Sequence, residues 1–267
     1  MNYTCPLCKK PLSLDDTTWS CSDNHRFDCA KEGYVNLLPV QKKRSKDPGD
    51  NKEMMFARRE FLNKGHYQLL SDRVIELAQL HCPDAKQGLD IGCGEGYYSH
   101  RLFDAMPEMS LQGLDISKSA LKYASKRYKQ MSFCVASAFE MPFTDEQFDF
   151  LLRIYAPSLD EELRRVIKHD GILITASAGK NHHFALKELI YEQPKHHIVE
   201  SSHIEGFKLI HRENLESNLV LSNEVDISHF LNMTPYSWKL TAEQKALLIS
   251  NGLKCELDFK IEVFKAI

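Results

Sequence analysis

One stretch, Leu89-Asp90-Ile91-Gly92-Cys93-Gly94-Glu95-Gly96-Tyr97-Tyr98-Ser99, constrains the fold of this chain more than any other. Leu89 to Ile91 read as a short buried strand, and the glycines at 92, 94 and 96 as a loop that opens a helix. A loop without Cβ atoms lets a ligand lie directly on the backbone. The spacing is G-x-G-x-G, not the G-x-G-x-x-G of dinucleotide folds or the G-x-x-x-x-G-K-[ST] of phosphate loops. No lysine follows to meet a phosphate. The pattern points to a nucleoside without a polyphosphate. S-adenosylmethionine (SAM) fits, since it carries a ribose, an adenine and a zwitterionic amino acid. Asp90, at the strand end, is placed to accept from its ammonium group.

Strand and helix signals alternate from Gly88 onward. Leu111 to Asp115 is the next strand, and Ser117 caps a helix reaching about Tyr128. Met131–Val135, Phe148–Ile154 and Gly171–Ser177 are three further apolar strands. Such alternation predicts a parallel sheet covered on both faces, with ligands at the carboxyl ends of the strands. Asp115 ends the second strand, 25 residues after Asp90, where an acid can accept from both ribose hydroxyls. The loop Ser137–Phe143 is expected to cover the adenine edge through Ala138 or Phe139.

The eight cysteines fall into two groups. Cys82, Cys93, Cys134 and Cys255 are scattered, whereas Cys5, Cys8, Cys21 and Cys29 lie together. Cys5, Cys8, Cys21 and His25 give the spacing C-x2-C-x12-C-x3-H, which suits a tetrahedral Zn²⁺ site. His25 or Cys29 can supply the fourth ligand, and the knuckle-like spacing from Cys21 favours His25. A unit of residues 1–37 has few apolar contacts and needs such a staple to fold. Residues 1–70 carry net charge +3 and the remainder −6, so the basic part is N-terminal. Lys42 to Asp50 reads as an exposed basic linker, suited to phosphate contacts. Asp50 and Glu53 suggest a capping box for a helix ending near Gly65, and a second helix spans about Tyr67 to Leu80.

Beyond residue 180 the periodic signals weaken. Six histidines (His182, His183, His196, His197, His203, His211) show no ligand spacing and read as scattered surface residues. Leu240–Ile249 reads as a helix and Leu253–Val263 as a final strand at an antiparallel edge. No apolar run is long enough to span a membrane, and the polar, cysteine-rich N-terminus does not read as a signal peptide. A cytoplasmic protein without membrane contact is expected.

The chain resembles the bacterial 23S ribosomal RNA guanine-N1 methyltransferases of the large-subunit methyltransferase A family. The resemblance runs from Cys5 nearly to the end. Its narrowest parts are Cys5-Pro6-Leu7-Cys8, the segment Ala30 to Gln41 and Asp47-Pro48-Gly49-Asp50. Leu89 to Tyr98, Arg153-Ile154-Tyr155-Ala156-Pro157 and Met233-Thr234-Pro235 complete it. It implies a class I SAM-dependent α/β fold, Rossmann-like with a mostly parallel seven-stranded sheet, behind a small zinc module. The division is then 1–37 for the zinc-binding RNA-recognition module, 38–66 for a basic linker and helix, and 67–267 for the methyltransferase domain. The resemblance implies Cys5, Cys8, Cys21 and His25 as zinc ligands. It also implies SAM contacts from Tyr67, Gly94, Glu95 and His182, a 23S rRNA hairpin as substrate, and a homodimer.

Methylating N1 of guanine requires in-line alignment and loss of one proton. Arg153 and Tyr155 follow the fourth strand, where this fold places substrate contacts. Arg153 is expected at O6 or a phosphate and Tyr155 stacked on the base, with Tyr236 and Trp238 as further aromatics. No acid stands out as the base. The rival reading is a small-molecule methyltransferase acting on a quinone-like acceptor, which has no use for a zinc module. A zinc-dependent RNA binder with a vestigial SAM site is argued against by the intact Asp90, Gly92, Gly94, Gly96 and Asp115.

Overall fold

The computed structural model describes residues 2–42, 51–198 and 203–267. The basic stretch from Lys43 to Asp50 lies outside the described residues. Three short strands come first, β1 (Ser13–Asp15), β2 (Thr18–Ser20) and β3 (Arg26–Asp28), followed by β4 (Val35–Asn36). Two helices, α1 (Lys52–Asn63) and α2 (Gln68–His81), lead to β5 (Gln87–Ile91) and α3 (Tyr97–Ala105). Then come β6 (Ser110–Asp115), α4 (Lys118–Arg127), β7 (Ser132–Val135), β8 (Phe148–Ile154) and α5 (Asp160–Val166). The chain continues through β9 (Ile167–Ala178), α6 (Phe184–Ile190), β10 (Phe207–Leu221), α7 (Glu224–Asn232), α8 (Ala242–Asn251) and β11 (Leu253–Ala266).

Strands β1–β3 form a small antiparallel ribbon. The main sheet runs β10-β11-β9-β8-β5-β6-β7-β4. From β9 to β4 neighbouring strands are parallel, and β10 and β11 join antiparallel. Strands β5 to β11 are the seven of the expected fold. The eighth, β4, comes from the N-terminal segment, pairing Val35 with Cys134 and Asn36 with Val135. Strand β11 is antiparallel but not an edge, because the long β10 covers it. Strand β10 escapes sequence reading because one side is exposed and its run His211-Arg212-Glu213-Asn214 is polar. The first helix is capped by Asn51, whose side chain accepts from the Met54 N–H at 2.9 Å, one residue later than expected.

Alternation along β5 divides the core. Leu89 and Ile91 face a cluster shared with the N-terminal ribbon, while Asp90 faces the side of α1 to α4. The ribbon is docked on the sheet rather than tethered to it. The Thr4 N–H donates to Pro142 O at 2.9 Å, and the Leu37 N–H to Val135 O at 2.9 Å. The Tyr3 ring packs on Trp19 and Phe143, with centroids 4.9 and 5.6 Å away.

Candidate active site and metal centre

A cavity of about 550 Å³ opens at the carboxyl ends of β5, β6 and β8. Its wall holds Tyr67, Asp90, Gly92, Gly94, Glu95, Asp115, Ala138, Tyr155 and His182. Gly96 and Arg153, from the same set of expected site residues, are not on that wall.

The three glycines have φ of +73° at Gly92, +56° at Gly94 and +81° at Gly96, so each needs a left-handed backbone. Their surroundings differ. A Cβ on Gly92 would fall 2.4 Å from the Ala156 Cβ, and one on Gly96 would press the Tyr128 ring at 3.1 Å. A Cβ on Gly94 would meet nothing within 4 Å. Only Gly94 bares its backbone to open space. Gly96 serves the packing of the turn, not the cavity.

Asp115 clamps this loop to β6. Its Oδ2 accepts the Gly94 N–H at 2.8 Å and its Oδ1 the Ser117 N–H at 2.7 Å. Asp90 is buried and accepts from the Ser99 hydroxyl. Burial pushes its carboxyl up to about 7; the Ser99 bond opposes this and the nearby Asp115 adds to it. Burial also raises Glu95 to about 7, against the pull of Arg59 at 3.5 Å. Glu95 Oε2 is buried without a hydrogen-bond partner among the described residues. Two acids held partly neutral, one orphaned oxygen and an open glycine backbone fit a ligand with an ammonium group and a ribose.

Helix α1 roofs the cavity with Met55, Arg58, Arg59 and Leu62. The Arg59 guanidinium lies 4.4 Å from the Tyr123 ring centre. These arginines lie off the apolar stripe that the helical period picks out, so sequence reasoning passed over them. The histidines correct the surface reading: His182 and His183 are buried, and both line the cavity with His197. The Asp258 N–H reaches His182 Nδ1 at 3.2 Å, so the neutral ring carries its hydrogen on Nε2, which faces Tyr155 Oη at 3.3 Å. Tyr67 Oη and His183 Nε2 are 2.9 Å apart. Burial holds His182 down to about 3 and His183 well below its ordinary value, so both stay neutral. Tyr236 is on the wall, whereas Trp238 is 63% exposed and away from it.

Arg153 sits on the opposite sheet face from Ile154, as the two-residue period of a strand requires. Its guanidinium donates to Ser158 Oγ at 2.8 Å. Arg153 is therefore on the sheet face away from this cavity.

In the ribbon, the ligand atoms of Cys5, Cys8, Cys21 and His25 lie within 4.8 Å of one another. Cys8 Sγ to Cys21 Sγ is 3.6 Å, and His25 Nδ1 lies 3.5 Å from Cys5 Sγ and 3.4 Å from Cys21 Sγ. A tetrahedral Zn²⁺ with ordinary Zn–S and Zn–N bonds needs edges of about 3.5–3.8 Å. The set fits zinc, with His25 and not Cys29 as fourth ligand.

Comparison with known proteins agrees with this geometry. A zinc-ribbon family model described as "RlmA, N-terminal" matches residues 3–46, and one described as "Methyltransferase domain" matches residues 84–229. The chain is 29% identical to a 23S rRNA (guanine(748)-N(1))-methyltransferase of Streptomyces fradiae, over 92% of this chain and 89% of that one. It is also 29% identical to YxjB of Bacillus subtilis, assigned as a 23S rRNA (guanine-N(1)-)-methyltransferase, over 92% and 90%. A structure assigned as a type II methyltransferase from Anaeromyxobacter dehalogenans shares the fold, with TM-score 0.51 and 16% identity over 72% of this chain and 94% of that one. With a methyltransferase domain across more than half its length and the matching ribbon ahead of it, the chain belongs to the methyltransferase-domain family and, within it, to the RlmA group.

Proposed function

We infer that this protein is a SAM-dependent methyltransferase acting on N1 of a guanine in a hairpin loop of 23S rRNA. The observation that carries the reading is the zinc ribbon built onto the same sheet as a nucleoside-sized cavity, in a chain whose rRNA-methylating relatives align along nine-tenths of it. A quinone methyltransferase has no use for the ribbon.

SAM supplies an electrophilic methyl group when bound. We propose that Asp115 takes its ribose hydroxyls, Asp90 its ammonium group, and Ala138 its adenine, with Gly92, Gly94, Glu95, Tyr67 and His182 completing the pocket. Tyr155 is the proposed contact to the extruded guanine. Arg153 is a positioning residue in this scheme, since Ser158 follows the wall residues Ala156 and Pro157. We keep the division into residues 1–37, 38–66 and 67–267, with a homodimer in the cytoplasm. No helix among the described residues is long and apolar enough to cross a membrane.

The test is primer extension on 23S rRNA from a strain lacking the mark, incubated with the protein and SAM. A new stop at one guanine, absent without SAM, is the expected result. An unmodified rRNA, or methylation only of a quinone, refutes the reading.

A further inference from the structure

We propose that His197 accepts the N1 proton of the target guanine while the Tyr155 hydroxyl donates to O6. This rests on guanine being the methyl acceptor and names the groups that handle its proton.

His197 lines the cavity with Tyr155 and His182. Its Nε2 lies 3.2 Å from the His182 carbonyl oxygen, so Nε2 carries the hydrogen and donates it. Nδ1 is thereby left as a lone pair, and no protein hydrogen bond occupies it among the described residues. Tyr155 stands the other way round. Its oxygen receives the His182 Nε2–H, so its own hydrogen is free to be given away. His182 thus sets both neighbours, and its ring centre is 6.0 Å from that of Tyr155 and 6.4 Å from that of His197. One wall therefore offers a donor and an acceptor. The Watson–Crick edge of guanine presents the complement, an acceptor at O6 beside a donor at N1. Tyr155 also holds φ at +52°, a costly conformation for a tyrosine and one that gathers at working sites.

The charges around His197 suit a base. Burial and the Lys187 ammonium keep it neutral at rest, while its bond to the His182 carbonyl and the Asp258 carboxylate favour the imidazolium once formed. Asp258 is itself buried, with Oδ2 bonded to the Asn181 N–H at 2.8 Å and Oδ1 without a partner among the described residues. The step balances. N1 gives its proton to Nδ1, its electron pair bonds the methyl carbon, and the pair of the broken C–S bond stays on sulfur as a neutral thioether. The imidazolium then returns its proton to water.

The experiment is single-turnover methylation of unmodified 23S rRNA by wild type, His197→Gln and Tyr155→Phe over about pH 6 to 9. General-base contributions are on the order of 100-fold or more. His197→Gln is expected to lose that factor near neutrality, with the deficit shrinking as rising pH ionises guanine unaided. Tyr155→Phe loses rate at every pH. SAM affinity by calorimetry stays at the wild-type value in both. A His197→Gln enzyme with the wild-type rate and pH profile overturns the proposal, as does loss of SAM binding. A wild type that leaves the rRNA unmethylated overturns the guanine reading together with this assignment, whereas an active wild type beside an unaffected variant overturns the assignment alone.

Discussion

Asp90→Asn is the substitution that most directly tests how the cavity is built. Asp90 is 2% exposed and faces the side of α1 to α4, so ionising it in the SAM-free protein means removing a charge from water. Burial lifts its carboxyl from an ordinary 3.8 to about 7. A carboxyl raised in the fold contributes its full stability below pH 3.8, loses it as pH climbs towards 7, and costs a constant amount above. At about 1.4 kcal/mol per pH unit, the cost grows by about 2–3 kcal/mol between pH 5 and pH 8. Asparagine carries no such cost. The pull of the Ser99 hydroxyl on the ionised carboxyl is already contained in the value of about 7. The stability of Asp90→Asn relative to wild type should therefore rise by about 2–3 kcal/mol from pH 5 to pH 8. Urea unfolding of the SAM-free proteins at the two pH values measures this directly. A difference that stays flat across the range would refute the placement of a buried, unneutralised carboxyl at this strand end. The same variant should bind SAM more weakly, since the ammonium group loses its partner.

Other outcomes can be read separately. Gly92→Ala should destabilise the loop in thermal unfolding, because its Cβ would sit 2.4 Å from the Ala156 Cβ, while Gly94→Ala, whose Cβ would enter the open space offered to the ligand, should lose most SAM binding by calorimetry at a cost of about 1–2 kcal/mol of backbone strain. Tyr155→Ala should lower turnover with SAM affinity nearly intact, and a drop in affinity instead would move Tyr155 into the cofactor pocket. Chelation, or Cys8→Ser, should release zinc by metal analysis and melt residues 1–37 by hydrogen exchange, with carefully purified protein free of zinc as the refuting result.

How far the chain could be read in advance follows from which physics was local. The strand at Phe148–Ile154, the Ser117 cap and the Cys5–His25 knuckle depend on short-range pattern, and the structure has each of them. What the pattern lacked was long-range. The α1 arginines become cavity residues only because that helix folds back over the sheet. His182, His183 and His197 look like surface residues until β11 and the 3-10 turn at Pro235–Trp238 enclose them. Arg153 was placed by strand position alone, and strand face puts it off the cavity wall. Strand β10 was missed because an edge strand with one exposed side need not be apolar.

The pairing of β4 with β7 has a consequence for solubility. An exposed strand edge is a template for pairing with another chain, and natural sheets blunt it. Here one end of the sheet is blunted by charge, with Lys208, Arg212 and Glu216 exposed along β10. The other end carries no such charges, since β7 reads Ser132-Phe133-Cys134-Val135. Among the described residues it is closed by β4 and the Leu37 N–H that follows it, a segment the zinc ribbon holds in place through Cys29 and Val35. Metal-free protein would therefore do more than lose a recognition module. It would uncover an apolar edge beside Phe133 and Val135, and self-association should follow demetallation.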